Sequence, residues 1–196
     1  MTKGTIKQSG NFGVITGLSY VAGIIGNSEG NQVSDVANYG KIIGSSFIGG
    51  ICGYSELESS TYRDNYYNCY NCGDISSTRS PTGGIIGKSR LGSYRNNLVN
   101  YGLIQSEIQK NTGALIGSLS NGKYTSNGYY LETSYPIAFG EIHAYTPTNI
   151  NSMTSNQMKT QSFLDELNKN AKALGNSYSQ WKFGKSGYPI LSWIEE

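Results

Sequence analysis

The apolar residues of this chain fall in short β-branched stretches closed off by glycine. Val14-Ile15, Ile42-Ile43 and Ile85-Ile86 are too short for helices, and such runs bounded by turn residues predict strands of three to five residues. A helical period occurs once. Phe163, Leu167, Ala171 and Leu174 lie at i, i+4, i+8 and i+11, which predicts one helix. Thr160 or Ser162 is placed to cap its start and Gly175 to end it. Beyond it, Trp181, Phe183 and Gly187-Tyr-Pro-Ile-Leu-Ser-Trp193 predict an aromatic-rich, strand-like end.

The strand pattern repeats. Asn11-Phe-Gly13 leads to Val21-Ala-Gly-Ile-Ile-Gly26, and Asn38-Tyr-Gly40 to Ile48-Gly-Gly-Ile-Cys-Gly53. Asn71-Cys-Gly73 leads to Thr82-Gly-Gly-Ile-Ile-Gly87, and Asn100-Tyr-Gly102 to Thr112-Gly-Ala-Leu-Ile-Gly117. From the Gly of N-x-G to the last Gly the distance is 13, 13, 14 and 15 residues, and successive N-x-G glycines lie 27, 33 and 29 apart. One such unit cannot bury its own apolar face, whereas stacked units satisfy the backbone ladder and close a core. The expected fold is therefore all-β, a β-solenoid of about four coils over 1–130, with a small α+β segment over 131–196. That segment is expected to cap the open end of the last coil. Glycine is expected to supply positive φ at the corners. Asn11, Asn38, Asn71 and Asn100 are expected to form an internal amide ladder or to act as left-handed turn residues.

Composition agrees with this. Gly is 26 of 196 residues, Ser 26 and Asn 19, while charged residues are 14%, too few for the surface of a helical bundle. A net charge of +2 is too small to imply nucleic acid. No apolar run approaches the length that crosses a membrane. Three cysteines cannot all pair, and Cys69 and Cys72 lack the second half of a zinc site. Free, largely buried thiols are expected.

Gly23-Ile-Ile-Gly26, Gly50-Ile-Cys-Gly53, Gly84-Ile-Ile-Gly87 and Ala114-Leu-Ile-Gly117 resemble the GLUG motif, and Asn68-Cys-Tyr-Asn-Cys-Gly73 resembles a stretch that accompanies it. The resemblance covers about residues 3–130. It implies a repeat module of a large bacterial surface or secreted protein, such as an adhesin or a non-catalytic region of an immunoglobulin A peptidase. The implied role is structural display or adhesion to a host or matrix protein or glycan, with the module part of a longer chain. A carbohydrate-binding module and an accessory domain of a surface peptidase are the alternatives. Two departures stand out: Ile or Cys replaces the motif Leu in several copies, and Ala114 replaces the first glycine of the fourth.

Candidate chemistry is sparse. His143 is the only histidine and lies beside Glu141, which excludes His-based zinc sites, and no nucleophile-elbow motif accompanies it. The 13 carboxylates are scattered; Asp35, Asp64 and Asn97 come nearest to a recurring position and read as solvated surface. No catalytic residue, cofactor or metal is assigned. The better binding candidate is an insertion within Tyr54–Asp64, where 20 residues separate Gly53 from Gly73 and 14 or 15 suffice elsewhere. Insertions in a solenoid emerge as loops on one face. Tyr62, Tyr94 and Tyr124 occupy similar places in three successive coils and are expected to form a row for sugar rings or a protein partner, or else an ordinary cross-strand ladder. Glu56, Glu58 and Asp64 flank that row.

Overall fold

A computed structural model describes residues 4–56, 63–90, 93–120, 125–143 and 146–196. The chain forms a β-solenoid of about four turns, built from parallel strands in register, with two helices near the C-terminus. Each complete coil has four faces. The first face stacks Thr5–Lys7, Gln32–Ser34, Asn65–Asn71, Tyr94–Asn100, Thr125–Leu131 and Thr148–Met153. The second stacks Ile15–Thr16, Ile42–Gly44, Ile75–Ser77 and Ile104–Ser106; the third, Ser19–Ala22, Ser46–Gly49, Thr82–Gly83 and Thr112–Gly113. The fourth stacks Ile25–Ser28, Cys52–Ser55, Ile86–Arg90, Ile116–Ser120 and Phe139–His143.

The stacked repeats close a core through one interior column. Ile51, Ile85 and Leu115 are fully buried and share one core with the half-buried Ile24. Their backbones are linked coil to coil, Ile51 N donating to Ile85 O at 2.9 Å and Ile85 N to Leu115 O at 2.8 Å. The amide ladder forms as well. Asn11 Nδ2 donates to Asn38 Oδ1 at 2.8 Å, Asn38 to Asn71 at 2.7 Å, and Asn71 to Asn100 at 2.8 Å. Each Nδ2 also donates to the carbonyl of the glycine two residues on, so one amide closes the N-x-G turn and joins two coils. Tyr130 takes the fifth place, and the ladder stops at Asn100.

The repeat glycines answer a steric demand. A Cβ on Gly23, Gly50 or Gly84 would lie 2.7, 2.5 or 2.5 Å from Cγ of Asn38, Asn71 or Asn100, so the first motif glycine packs against the amide ladder. This contact couples each N-x-G to the G-x-x-G that precedes it. A Cβ on Gly53, Gly87 or Gly117 would lie 2.6, 2.6 or 2.5 Å from the carbonyl oxygen of Gly26, Gly53 or Gly87, so the second motif glycines stack carbonyl upon α-carbon. The expected positive φ at these glycines is absent; among the described residues that conformation falls on Gly30, Gly175 and Gly187. It falls also on Gln8, Asp35, Asn68, Asn97, Asn127 and Asn149, one for each of the six rungs of the first face, and five of the six are Asn or Asp, which tolerate it best.

Two expectations about the C-terminal part are corrected. The solenoid does not end at 130: Phe139–His143 pairs with Ile116–Ser120 and Thr148–Met153 with Thr125–Leu131. Nor does the remainder cover the open end. Helix α1 (Ser155–Met158), helix α2 (Gln161–Leu174) and an antiparallel pair, Trp181–Phe183 with Pro189–Leu191, fold back along the outer side of the first face. Thr160 caps α2 by accepting from Phe163 N, and Gly175 ends it. Phe163, Leu164, Leu167 and Ala171 meet the outward Ala37, Tyr70, Val99 and Tyr129. Inward Val36, Cys69 and Leu98 belong to the solenoid core, so these strands are apolar on both sides and demand a cover. By residue 177 the strap has reached the first coil, where Lys7 Nζ donates to Ser177 O at 2.5 Å.

A second, outer ladder fixes the strap. Asn97 Nδ2 donates to Asn68 Oδ1 at 2.7 Å and Asn68 Nδ2 to Asp35 Oδ1 at 2.6 Å. The same side chains reach the strap: Asn97 to Leu167 O at 3.1 Å, Asn68 to Ser179 O at 2.8 Å, and Trp181 Nε1 to Asn68 Oδ1 at 2.6 Å. Asp35 accepts from Ser179 N at 2.9 Å. Asp35 and Asn97, read from sequence as solvated surface, are both fully buried. A buried carboxylate or amide is stable only when bonded, and the strap supplies the partners.

Candidate functional site

The fourth face gives way to the first between Ser28 and Gln32, Ser55 and Asn65, Arg90 and Tyr94, Ser120 and Thr125, and His143 and Thr148. Most of the insertion expected within Tyr54–Asp64, residues 57–62, lies outside the described residues. Glu58, Tyr62 and Tyr124 lie outside the described residues. The register sets Tyr94 beside Asn65. Tyr94 is half-buried, and Arg63 lies over its ring at 5.8 Å and donates to its hydroxyl at 3.4 Å.

Asp64 has no exposed surface. It accepts from Ser28 Oγ at 2.9 Å, Asn31 N at 2.7 Å and Ser55 Oγ at 2.6 Å. Its assignment as a ligand contact is thereby corrected: a carboxylate taken wholly out of water is held by donors from its own fold, and here it ties the insertion back onto the first two coils. Arg95, equally buried, donates to Ser89 Oγ, to Thr125 Oγ1 at 3.3 Å and to Ser93 O at 3.2 Å. Burial pushes its guanidinium down to about 10. The corner therefore has a rigid polar interior.

Glu56, like Tyr94, is half-buried. Its Oε1 accepts from Tyr54 Oη at 2.9 Å and pairs with Arg90 Nη1 at 3.3 Å. Burial pushes the Tyr54 phenol above its usual range. Beside this triad the third face contributes Tyr20 and Phe47, stacked at 4.8 Å with 9° between planes, and Tyr54 lies 5.2 Å from Phe47. Lys88 Nζ sits 5.9 Å from the Phe47 ring and 6.0 Å from that of Tyr54, within reach of cation–π attraction. Tyr20 keeps 45% of its surface exposed. Tyr20, Phe47, Lys88 and Arg90 were not singled out in the sequence. Their signal was present, since Tyr20 and Phe47 both stand one residue before the apolar start of a third-face rung.

His143 and Glu141 lie on the last fourth-face rung, Nε2 to Oε1 at 3.1 Å, and Ser118 Oγ donates to Glu141 Oε2 at 3.4 Å. A nucleophilic triad needs the imidazole between hydroxyl and carboxylate; here the carboxylate stands between the other two. Among the described residues, no three His, Cys, Asp or Glu side chains converge as a metal site requires. No helix among them is long and apolar enough to cross a membrane.

The fold and surface define a parallel β-solenoid braced by a back-folded C-terminal strap and carrying an aromatic–cationic corner. The chain is similar to a crystal structure of a candidate immunoglobulin A1 protease from Bacteroides ovatus, with a TM-score of 0.62 and 21% identity. The likeness covers 95% of this chain and 57% of that one, so this chain spans little more than half its neighbour's length. No family model and no curated protein matches the sequence.

Proposed function

We propose that this chain is a non-catalytic module of a bacterial surface or secreted protein, and that its fourth-to-first corner binds a host or matrix protein. The carrying observation is the division of labour within each coil. Ladders and close-packed glycines lock the four faces, while Tyr20, Phe47, Tyr54, Lys88 and Arg90 gather as a surface cluster beside the corner where the fourth face gives way to the first. Aromatic and arginine side chains on a rigid support are the residues in which binding energy concentrates at protein interfaces. Likeness to the Bacteroides ovatus protein over 57% of its length favours a related reading, in which the module is an accessory region within a longer, peptidase-associated chain.

The test is biolayer interferometry with immobilised immunoglobulin A1, fibronectin, fibrinogen and collagen. Saturable binding to one of them, weakened at least about tenfold by Phe47→Ala with Arg90→Ala, is expected. Equal affinity in the double variant, or no binding to any probe, refutes the corner. Cleavage of immunoglobulin A1 by the purified chain overturns the non-catalytic reading.

A further inference from the structure

A cleft of about 380 Å³ opens between the last first-face rung, Thr148–Met153, and the start of α2, away from the corner. That volume lies at the small end of the range for small-molecule sites, about 300–1,000 Å³. Its lining is dominated by hydrogen-bonding groups, among them Asn149, Asn151, Gln157, Ser162 and Glu166, beside a narrow apolar strip that includes Phe163. Among the described residues, Glu166 is the one charged residue lining it.

The polar groups are held in place before any ligand arrives. Tyr129 Oη, buried beneath the cleft, donates to Glu166 Oε1 at 2.8 Å and accepts from Asn170 Nδ2 at 3.0 Å. Asn149 Nδ2 donates to Asn127 Oδ1 at 2.6 Å, and Asn151 Nδ2 to Asn149 Oδ1 at 2.9 Å. This chain continues the outer asparagine column past the point where the strap covers it. Tyr129 and Asn149 both approach the same carboxylate oxygen, Oε1, while a carboxylate offers about four lone-pair sites.

We infer that this cleft binds a neutral carbohydrate, one or two sugar rings in length. Planar amides and a carboxylate, fixed side by side, present paired acceptors and donors to vicinal hydroxyls, and the half-buried Met153 beside them offers an apolar contact to the C–H side of a ring. The negative charge of Glu166, with no cation lining the cleft among the described residues, disfavours acidic sugars. A peptide would need pockets for alternate side chains, and the lining provides one apolar strip. The proposal is independent of the corner.

The experiment is a glycan array carrying neutral and sialylated oligosaccharides, followed by calorimetric titration of the neutral glycan with the strongest signal. Saturable binding to neutral glycans is expected, weakened about tenfold or more by Glu166→Ala and by Asn151→Ala and unchanged by Phe47→Ala. Asn151 bonds at the surface, so Asn151→Ala should keep the parent thermal midpoint, while Glu166→Gln keeps an acceptor for the buried Tyr129 hydroxyl and separates loss of the charge from loss of the fold. Absence of any glycan signal, preference for sialylated glycans, or full affinity in both cleft variants overturns the proposal. Loss of glycan binding in Phe47→Ala alone would move the ligand to the corner.

Discussion

The chain uses asparagine twice, in two columns three residues apart along the rungs, and the columns obey different rules. The inner ladder, Asn11–Asn38–Asn71–Asn100, has ordinary backbone geometry and bonds only within the solenoid. The outer column, Asp35–Asn68–Asn97–Asn127–Asn149, stands at positive φ and turns its amides toward the strap and then the cleft. A side chain used for stacking needs only its neighbour one coil away. A side chain used for docking needs a partner more than a hundred residues distant, as Asn68 finds in Ser179 and Trp181.

Removing residues 155–196 separates the two columns most completely. The truncated chain keeps its inner ladder but exposes Tyr70, Val99 and Tyr129 along one flank, and it is expected to self-associate through that face. Light scattering at several concentrations reads this; a monomeric 1–154 chain would show that the flank is stable in water.

Asn71→Ala comes next. It strips bonds from Asn38, Gly73 and Asn100 in a fully buried place, at about 1–3 kcal/mol for each group left unsatisfied. A loss of about 3–5 kcal/mol is expected from urea unfolding, with solenoid and strap melting together. A loss below about 1 kcal/mol would mean that water replaces the ladder.

Asn97 dissects the outer column. Asn97→Gly keeps the positive φ and removes the bonds to Asn68, Leu167 and Asn170, so about 1–2 kcal/mol is expected, with faster proteolysis confined to 155–180. Asn97→Ala should cost about 1 kcal/mol more, because an L-residue with Cβ pays for the left-handed backbone. Equal costs for the two would deny any role to backbone conformation.

The smallest effect is alkaline. Burial pushes the Cys52 thiol, inside the solenoid, and the Cys72 thiol, on its outer side, from about 9 to about 12. An acid whose folded value is raised keeps its full contribution below the unfolded value, and that contribution drains away as pH rises through the folded one. Stability should therefore hold up to about pH 9 and decline between about 9 and 12. Cys52→Ala should flatten the slope of the urea midpoint against pH in that window; an unchanged slope would assign it to the tyrosines.

The inner ladder, the coil number and the Ile51–Ile85–Leu115 column were legible because each repeats with the coil. Helix α2 was legible to its caps, since Thr160 and Gly175 act locally. The strap's position was not. Its signal was the adjacent apolar pairs Val36-Ala37, Cys69-Tyr70, Leu98-Val99 and Tyr129-Tyr130; neighbours in a strand point to opposite sides, so a pair of this kind marks a rung covered twice. The solenoid's extension to Met153 was hidden because Tyr130 replaces the marker asparagine while the backbone ladder continues. At the corner, Glu56 was found through the insertion, whereas Phe47 and Lys88 meet it only once third and fourth faces fold together.

Stacked coils in general interact only with their neighbours, so such arrays can fray from either end a coil at a time. This chain's last residues work against that. After leaving the sixth rung the strap touches Lys7 in the first coil, Asp35 in the second, Asn68 in the third and Asn97 in the fourth. Trp193 Nε1 then returns to Asp35 O at 3.0 Å. Unravelling the first coil would tear contacts made by the last forty residues, so the two extremities melt as one unit. A one-dimensional stack has been closed into a loop of mutual dependence, and its calorimetric and van't Hoff enthalpies should agree as they do for a compact two-state domain.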